Sequence, residues 1–213
     1  MHRSVRRFVQ SFAAALVIAA CSDQTGPAPA TVERPLFETV VADTLHIIRQ
    51  AATAPGLETY QTSFWVQKGK ATIVVINYQS PDGEKVGDPF LQFGLPKDGL
   101  ISGANGRPIA KGDSILLTLS IDTVRFSVDF GPSGVKFSAK SPASLTMCYE
   151  HMDPDLNRDG VVDGTDEALQ QQLSFWTQSM KAGDWFKLPT KYDPANPCVS
   201  AQLYHFSQYA VAW

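Results

Sequence analysis

The sequence predicts a mostly β protein, an antiparallel β-sandwich with a short helical calcium-loop excursion near the C-terminus. Three observations predict it. Short runs rich in Val, Ile, Thr and aromatic residues recur from Thr59 onward, separated by turn-forming Gly, Pro, Asn and Asp. Two runs alternate well enough to define one apolar face each: Ile115, Leu117, Leu119 and Ile121, then Val124, Phe126, Val128 and Phe130. The third observation is an acidic loop, Asp155 to Asp166, followed by apolar residues at helical spacing.

The 213 residues make one domain or two small ones, and 44 % hydrophobic residues are enough for a core. Residues 1–20 read as a targeting segment. His2, Arg3, Arg6 and Arg7 form a basic start, and Phe8 to Ala20 is largely apolar but too short to span a bilayer. It ends Leu16-Val17-Ile18-Ala19-Ala20-Cys21. Small residues before a Cys resemble the bacterial lipobox, which implies that Cys21 is diacylated and becomes the mature N-terminus. The alternative is an ordinary cleaved signal with a chance Cys. By the same resemblance Ser22, in place of Asp, points to the outer membrane or cell surface. The lipid bilayer is then the first partner, reached through acylated Cys21.

Cleavage removes three of 18 basic residues and leaves 15 against 21 acidic ones, a charge of about −6. That balance gives no basic footprint for nucleic acid. Residues 21–35 are rich in Pro, Ala, Thr and Gly and read as a flexible tether. The remaining 36–213 form the folded body, with the calcium-loop insertion at about 150–198. Leu36 to Gln50 fits a helix or a strand, and the two stay open.

Tyr60 to Gln67 reads as a strand, with Lys68-Gly69 as a hairpin turn. Ala71 to Tyr78 is β-branched and is expected to be buried on both faces. Ser80-Pro81-Asp82-Gly83 is a turn, and Phe90 begins the next strand. A loop runs to about Lys111, then come the two alternating strands and another at Pro142 to Glu150.

The loop reads D-x-N-x-D-G-x-x-D-x-x-D. Calcium takes six to eight oxygen ligands from such carboxylate-rich loops. The candidate ligands are Asp155, Asn157, Asp159, the Val161 carbonyl, Asp163 and Asp166, with Gly160 at the sharp turn and Glu167 able to stand in for Asp166. Val162 is expected to anchor the loop to a core. Four Asp carboxylates this close repel one another unless a cation answers them. The alternative is a solvated series of Asp/Asn/Gly turns. Pro154 rules out a normal entering helix. After the loop, Asp163 or Thr165 caps a helix whose apolar face is Leu169, Leu173, Trp176 and Met180, ending near Lys181 and Gly183. A loop with a single following helix looks like half of a dockerin. Dockerins carry two such segments, so only the calcium ligands carry over and cohesin binding does not.

Gly131-Pro132-Ser133-Gly134-Val135-Lys136-Phe137, followed by Pro142-Ala143-Ser144-Leu145, resembles the ZU-type domain named for zonula occludens and the Unc netrin receptors. Pro96 to Leu100 matches the earlier part of that pattern with two departures, Asp98 and Gly99. The resemblance covers about Phe90 to Glu150 plus the C-terminal strand. It implies a β-sandwich used for binding and scaffolding, with the calcium loop as an excursion between its last strands.

Cys148 and Cys198 bracket the excursion, and exported compartments allow their disulfide. The alternative is two free buried thiols. Tyr149, Glu150 and His151 beside the loop lack metal-ligand spacing, and His151 reads as a surface residue. Trp185 and Phe186 are core or, if exposed with Trp65, a glycan platform. Leu203 to Trp213 reads as one terminal strand with Leu203, His205, Ser207, Tyr209, Val211 and Trp213 on one face. His205-Phe206-Ser207 resembles the self-cleaving tripeptide of some ZU-type domains, which implies Ser207 attack on the Phe206 carbonyl with His205 as base. The alternative is a strand with a half-buried His. No phosphate loop, H-E-x-x-H, nucleophile elbow or Cys-x-x-Cys is present. The expectation is therefore a lipid-anchored interaction or adhesion module with a protein or glycan partner, and not an enzyme beyond that possible self-cleavage.

Overall fold

A computed structural model describes residues 38–41, 44–80, 86–178, 183–193 and 195–213. The signal segment 1–20, Cys21 and the tether lie outside these residues. So do Met180 and Lys181, and the turn expected after Ser80.

In chain order the strands are β1 (Thr39–Val40), β2 (Gln61–Gln67), β3 (Thr72–Gln79), β4 (Val86–Leu95), β5 (Leu100–Ser102), β6 (Ser114–Asp122), β7 (Ser127–Gly131), β8 (Lys136–Phe137) and β9 (Ala143–Cys148). Then come helix α1 (Gly164–Gln170), β10 (Ser174–Gln178), β11 (Trp185–Lys187), β12 (Thr190–Asp193), β13 (Cys198–Leu203) and β14 (Gln208–Ala212). Seven strands form one sheet in the order β1-β11-β10-β14-β7-β6-β2. Five form the second, β12-β13-β9-β4-β3, and β5 pairs with β8 apart from both. All these pairings are antiparallel.

Period-two alternation decides which side chains meet between the sheets. β6 contributes Leu117, Leu119 and Ile121, β9 contributes Ala143, Leu145 and Met147, and β13 contributes Val199, Ala201 and Leu203. Phe93 of β4 sits where the two sheets face each other. Its ring centroid lies 5.2 Å from Phe130 of β7, 6.0 Å from Phe64 of β2 and 5.7 Å from Phe206. These tilted aromatic contacts across the layers make this a sandwich with one continuous core.

Several local expectations are corrected. The Lys68-Gly69 turn is real, with Gly69 at φ 97°, but it does not close a hairpin. β2 pairs with β6 and β3 with β4, so the turn carries the chain from one sheet to the other. β3 is not buried on both faces. It ends the five-stranded sheet, so Ile73 and Val75 point outward, 69 % and 44 % exposed, while Ile76 and Tyr78 are buried. Val124 lies in an exposed turn before β7, while Phe126, Val128 and Phe130 are buried as expected. Residues 38–50 hold no helix among those described. β1 pairs with β11 at the sheet edge, and Ile47 and Gln50 bridge to Ala212 and Met152.

The largest correction follows the acidic loop. The helix stops at Gln170, and Trp176 lies in β10, between β11 and β14. The spacing of Leu169, Leu173 and Trp176 fits a helix, yet Phe175, Trp176 and Thr177 favour a strand, and partners on both sides satisfy their backbone. The excursion therefore supplies β10 and β11 to one sheet and β12 to the other. The expected single terminal strand is likewise two, because the chain crosses between sheets over residues 204–207.

Candidate metal centre

Residues 149–163 leave β9 without a helix, as Pro154 requires. Two residues adopt left-handed conformations, Arg158 at φ 62° and Gly160 at φ 87°. Glycine suits the second at no steric cost. The Arg158 guanidinium offsets its own strain by donating from Nη2 to the Ile47 carbonyl at 3.2 Å.

The side chains at loop positions 1, 3 and 5 turn inward onto the loop's own amides. Asp155 Oδ2 accepts from the Gly160 amide at 2.9 Å and Oδ1 from the Asp159 amide at 3.2 Å. Asn157 Oδ1 accepts from the Asp159 amide at 2.9 Å, and Asp159 Oδ1 from the Val161 amide at 2.8 Å. Asn157 Nδ2 donates to Asp159 Oδ2 at 2.9 Å. Asp163 is the N-cap of α1, taking the Thr165 amide at 2.7 Å.

Asp166 joins the end of the loop to its beginning. It is buried, and its carboxylate accepts from the amides of Leu156 at 2.8 Å, Asn157 at 3.2 Å and Asp163 at 3.0 Å. The Asp163 amide is the main cause holding its pKa below the ordinary carboxylate value. Desolvation opposes that, and the Asn157 and Leu156 amides reinforce it. Glu167, the proposed stand-in, is exposed. The anchor differs from expectation as well. Val162 is 61 % exposed, and Leu156 is the buried residue that ties the loop to the core.

The carboxylate and amide oxygens at positions 1, 3 and 5 are of the donor type that a hard cation takes. No three of the loop's carboxylates bring an oxygen each within 4.8 Å of one another. The excursion is closed at its base as expected. Cys148 and Cys198 are directly opposed in the β9–β13 ladder and form a disulfide.

A second group was missed in the sequence. Asp88, Glu150 and His151 each bring one ligand atom within 4.8 Å of the others. Asp88 is remote in sequence and comes there with β4, which pairs with β9 and β3. The Tyr78 ring packs edge-on against His151 at 4.5 Å, and its hydroxyl is buried with no hydrogen-bond partner. Burial pushes its pKa up, and the negative Glu150 adds to the rise.

At the chain's end, the Ser207 hydroxyl is buried and donates to the Gln178 carbonyl, not to His205. His205 Nδ1 lies 3.4 Å from the Phe206 carbonyl oxygen, which also accepts from the Gly134 amide at 3.2 Å. Of the two candidate platform tryptophans, Trp185 is 2 % exposed and belongs to the core, while Trp65 is 68 % exposed.

No protein-family model, curated protein or solved structure matches the chain.

Proposed function

We propose that this chain is a lipid-anchored interaction module of the bacterial cell envelope, stabilised by calcium at Asp155, Asn157, Asp159, Val161, Asp163 and Asp166. The observation that carries the reading is Asp166, a buried carboxylate that ties the loop's end to its start while the side chains at positions 1, 3 and 5 turn inward. The metal's role is structural. It neutralises the Asp cluster and fixes α1 against the sandwich, so binding couples to local folding. Anchoring rests on the lipobox-like Ala19-Ala20-Cys21.

Exposed apolar residues support an interaction role. Trp65 of β2 is paired with Leu116 of β6, both exposed, and β3 presents Ile73 and Val75 outward. Trp65 also meets the exposure that a glycan contact needs, which Trp185 does not. The engaged Ser207 hydroxyl favours a structural role for the His205-Phe206-Ser207 end over self-cleavage.

The test is thermal melting of the chain from Ser22 to Trp213 with millimolar calcium and with chelator, beside Asp159→Ala. Ligand at a hundredfold excess over Kd stabilises the native state by about 2.7 kcal/mol. For a domain this size that is a rise of roughly 5–10 °C. The rise is expected in the wild type and absent in Asp159→Ala. Identical wild-type melts in calcium and chelator would overturn the reading.

A further inference from the structure

We propose that Asp88, Glu150 and His151 form a second metal site, for a borderline divalent cation such as Zn²⁺, with the Tyr78 hydroxyl as a hydrogen-bond donor to its ligands. The site is built by strand register. β4 and β9 pair with Leu91 opposite Met147. The ladder ends there, with Asp88 three residues before Leu91 and Glu150 three residues after Met147. On the other side of β4, the ladder with β3 shifts register twice, between Ile76 and Asn77, where Phe90 is the extra residue, and again between Asn77 and Gln79. The first shift leaves Phe90 and Leu91 both buried, and beyond the second Asp88 is exposed. Tyr78 of β3 packs edge-on against Phe90, ring centroids 5.5 Å apart, and against His151 at 4.5 Å.

The backbone around Glu150 and His151 is held. The Ala51 amide donates to the His151 carbonyl at 2.9 Å, the Met152 amide to the Tyr149 carbonyl at 3.0 Å, and Gln50 bridges to Met152. Among the described residues no hydrogen bond or ion pair joins the three side chains, and no basic side chain pairs with either carboxylate. Two neighbouring carboxylates without a counter-charge repel.

An independent observation points to the same spot. The Tyr78 hydroxyl belongs to a residue that is 1 % exposed, and it has no partner. A buried hydroxyl without a partner is costly. Its ring lies against His151, and Glu150 acts on it electrostatically. A carboxylate or water drawn in by a cation gives that hydroxyl its acceptor. Donors of this kind around metal ligands commonly raise affinity 10–100-fold. The imidazole sets the choice of metal, because calcium and magnesium prefer oxygen alone, whereas zinc accepts His with carboxylates. Three protein ligands leave a coordination position open.

The experiment is a calorimetric Zn²⁺ titration of the metal-stripped full chain, in millimolar calcium to occupy the acidic loop. One Zn²⁺ per chain is expected. Asp88→Asn and His151→Asn should each weaken it at least about tenfold, and Tyr78→Phe about tenfold while keeping the ring packing. Asp159→Ala should leave it unchanged, so this proposal and the calcium reading fail separately. If His151→Asn does not fold by circular dichroism, Asp88→Asn, an exposed change, decides alone. Absence of zinc binding, or wild-type affinity in Asp88→Asn, overturns the site.

Discussion

Asp166 carries the clearest chemical consequence at the scale of single residues. Its carboxylate accepts three backbone amides and is held below the ordinary value. Such a group adds stability that is present above its unfolded pKa, about 3.9, and lost as pH falls through its lower folded value. In chelator, the wild-type melting temperature should therefore drop as pH is lowered below about 4. Asp166→Asn should be less stable at neutral pH and show a shallower acid limb. Parallel pH profiles for the two proteins would remove Asp166 from that role. The ligand types at these positions were legible because they lie within one short stretch whose spacing is itself the chemistry. Asp88 was not, since it reaches Glu150 only through the pairing of β4 within the sheet, which is not written locally. Val162 was misjudged because hydropathy does not say which of Leu156 and Val162 faces the core.

Among the elements, β6 was legible because one face is buried and the other is not, so alternation survives in the sequence. β3 was misread because a run of Ile and Val looks alike at the edge and the centre of a sheet. The two placements predict different energetics. Ile73→Thr, on the outward face, should change stability by less than about 0.5 kcal/mol. Ile76→Ala, facing the core, should cost roughly 2–4 kcal/mol. Denaturant unfolding of both variants checks the phase, and equal losses would mean that both faces are covered. The stretch after α1 failed for another reason. Apolar residues at helical spacing also serve a strand buried on both faces, and the pairing with β14, about thirty residues away, decides between them.

For the whole molecule, the sandwich followed from composition and turn spacing, while the sheet order did not. The disulfide between Cys148 and Cys198 encloses a chain segment with sequence separation 50, including β10, β11 and β12. In the chain-entropy model, closing such a loop is worth about 4 kcal/mol. Replacing both cysteines by Ser should cost stability on that scale in denaturant unfolding, and a loss below about 1 kcal/mol would mean that the reduced chain keeps this segment ordered by itself. The position of β14 has a different kind of consequence. This last described strand lies between β10 and β7 and is the hydrogen-bonded link between the two halves of the seven-stranded sheet. Without residues 208–212, β1, β11 and β10 lie on one side of a gap in the sheet and β7, β6 and β2 on the other. Until β14 docks, β10 and β7 each offer an open edge, so the folding chain is most exposed to mispairing before that one strand is in place.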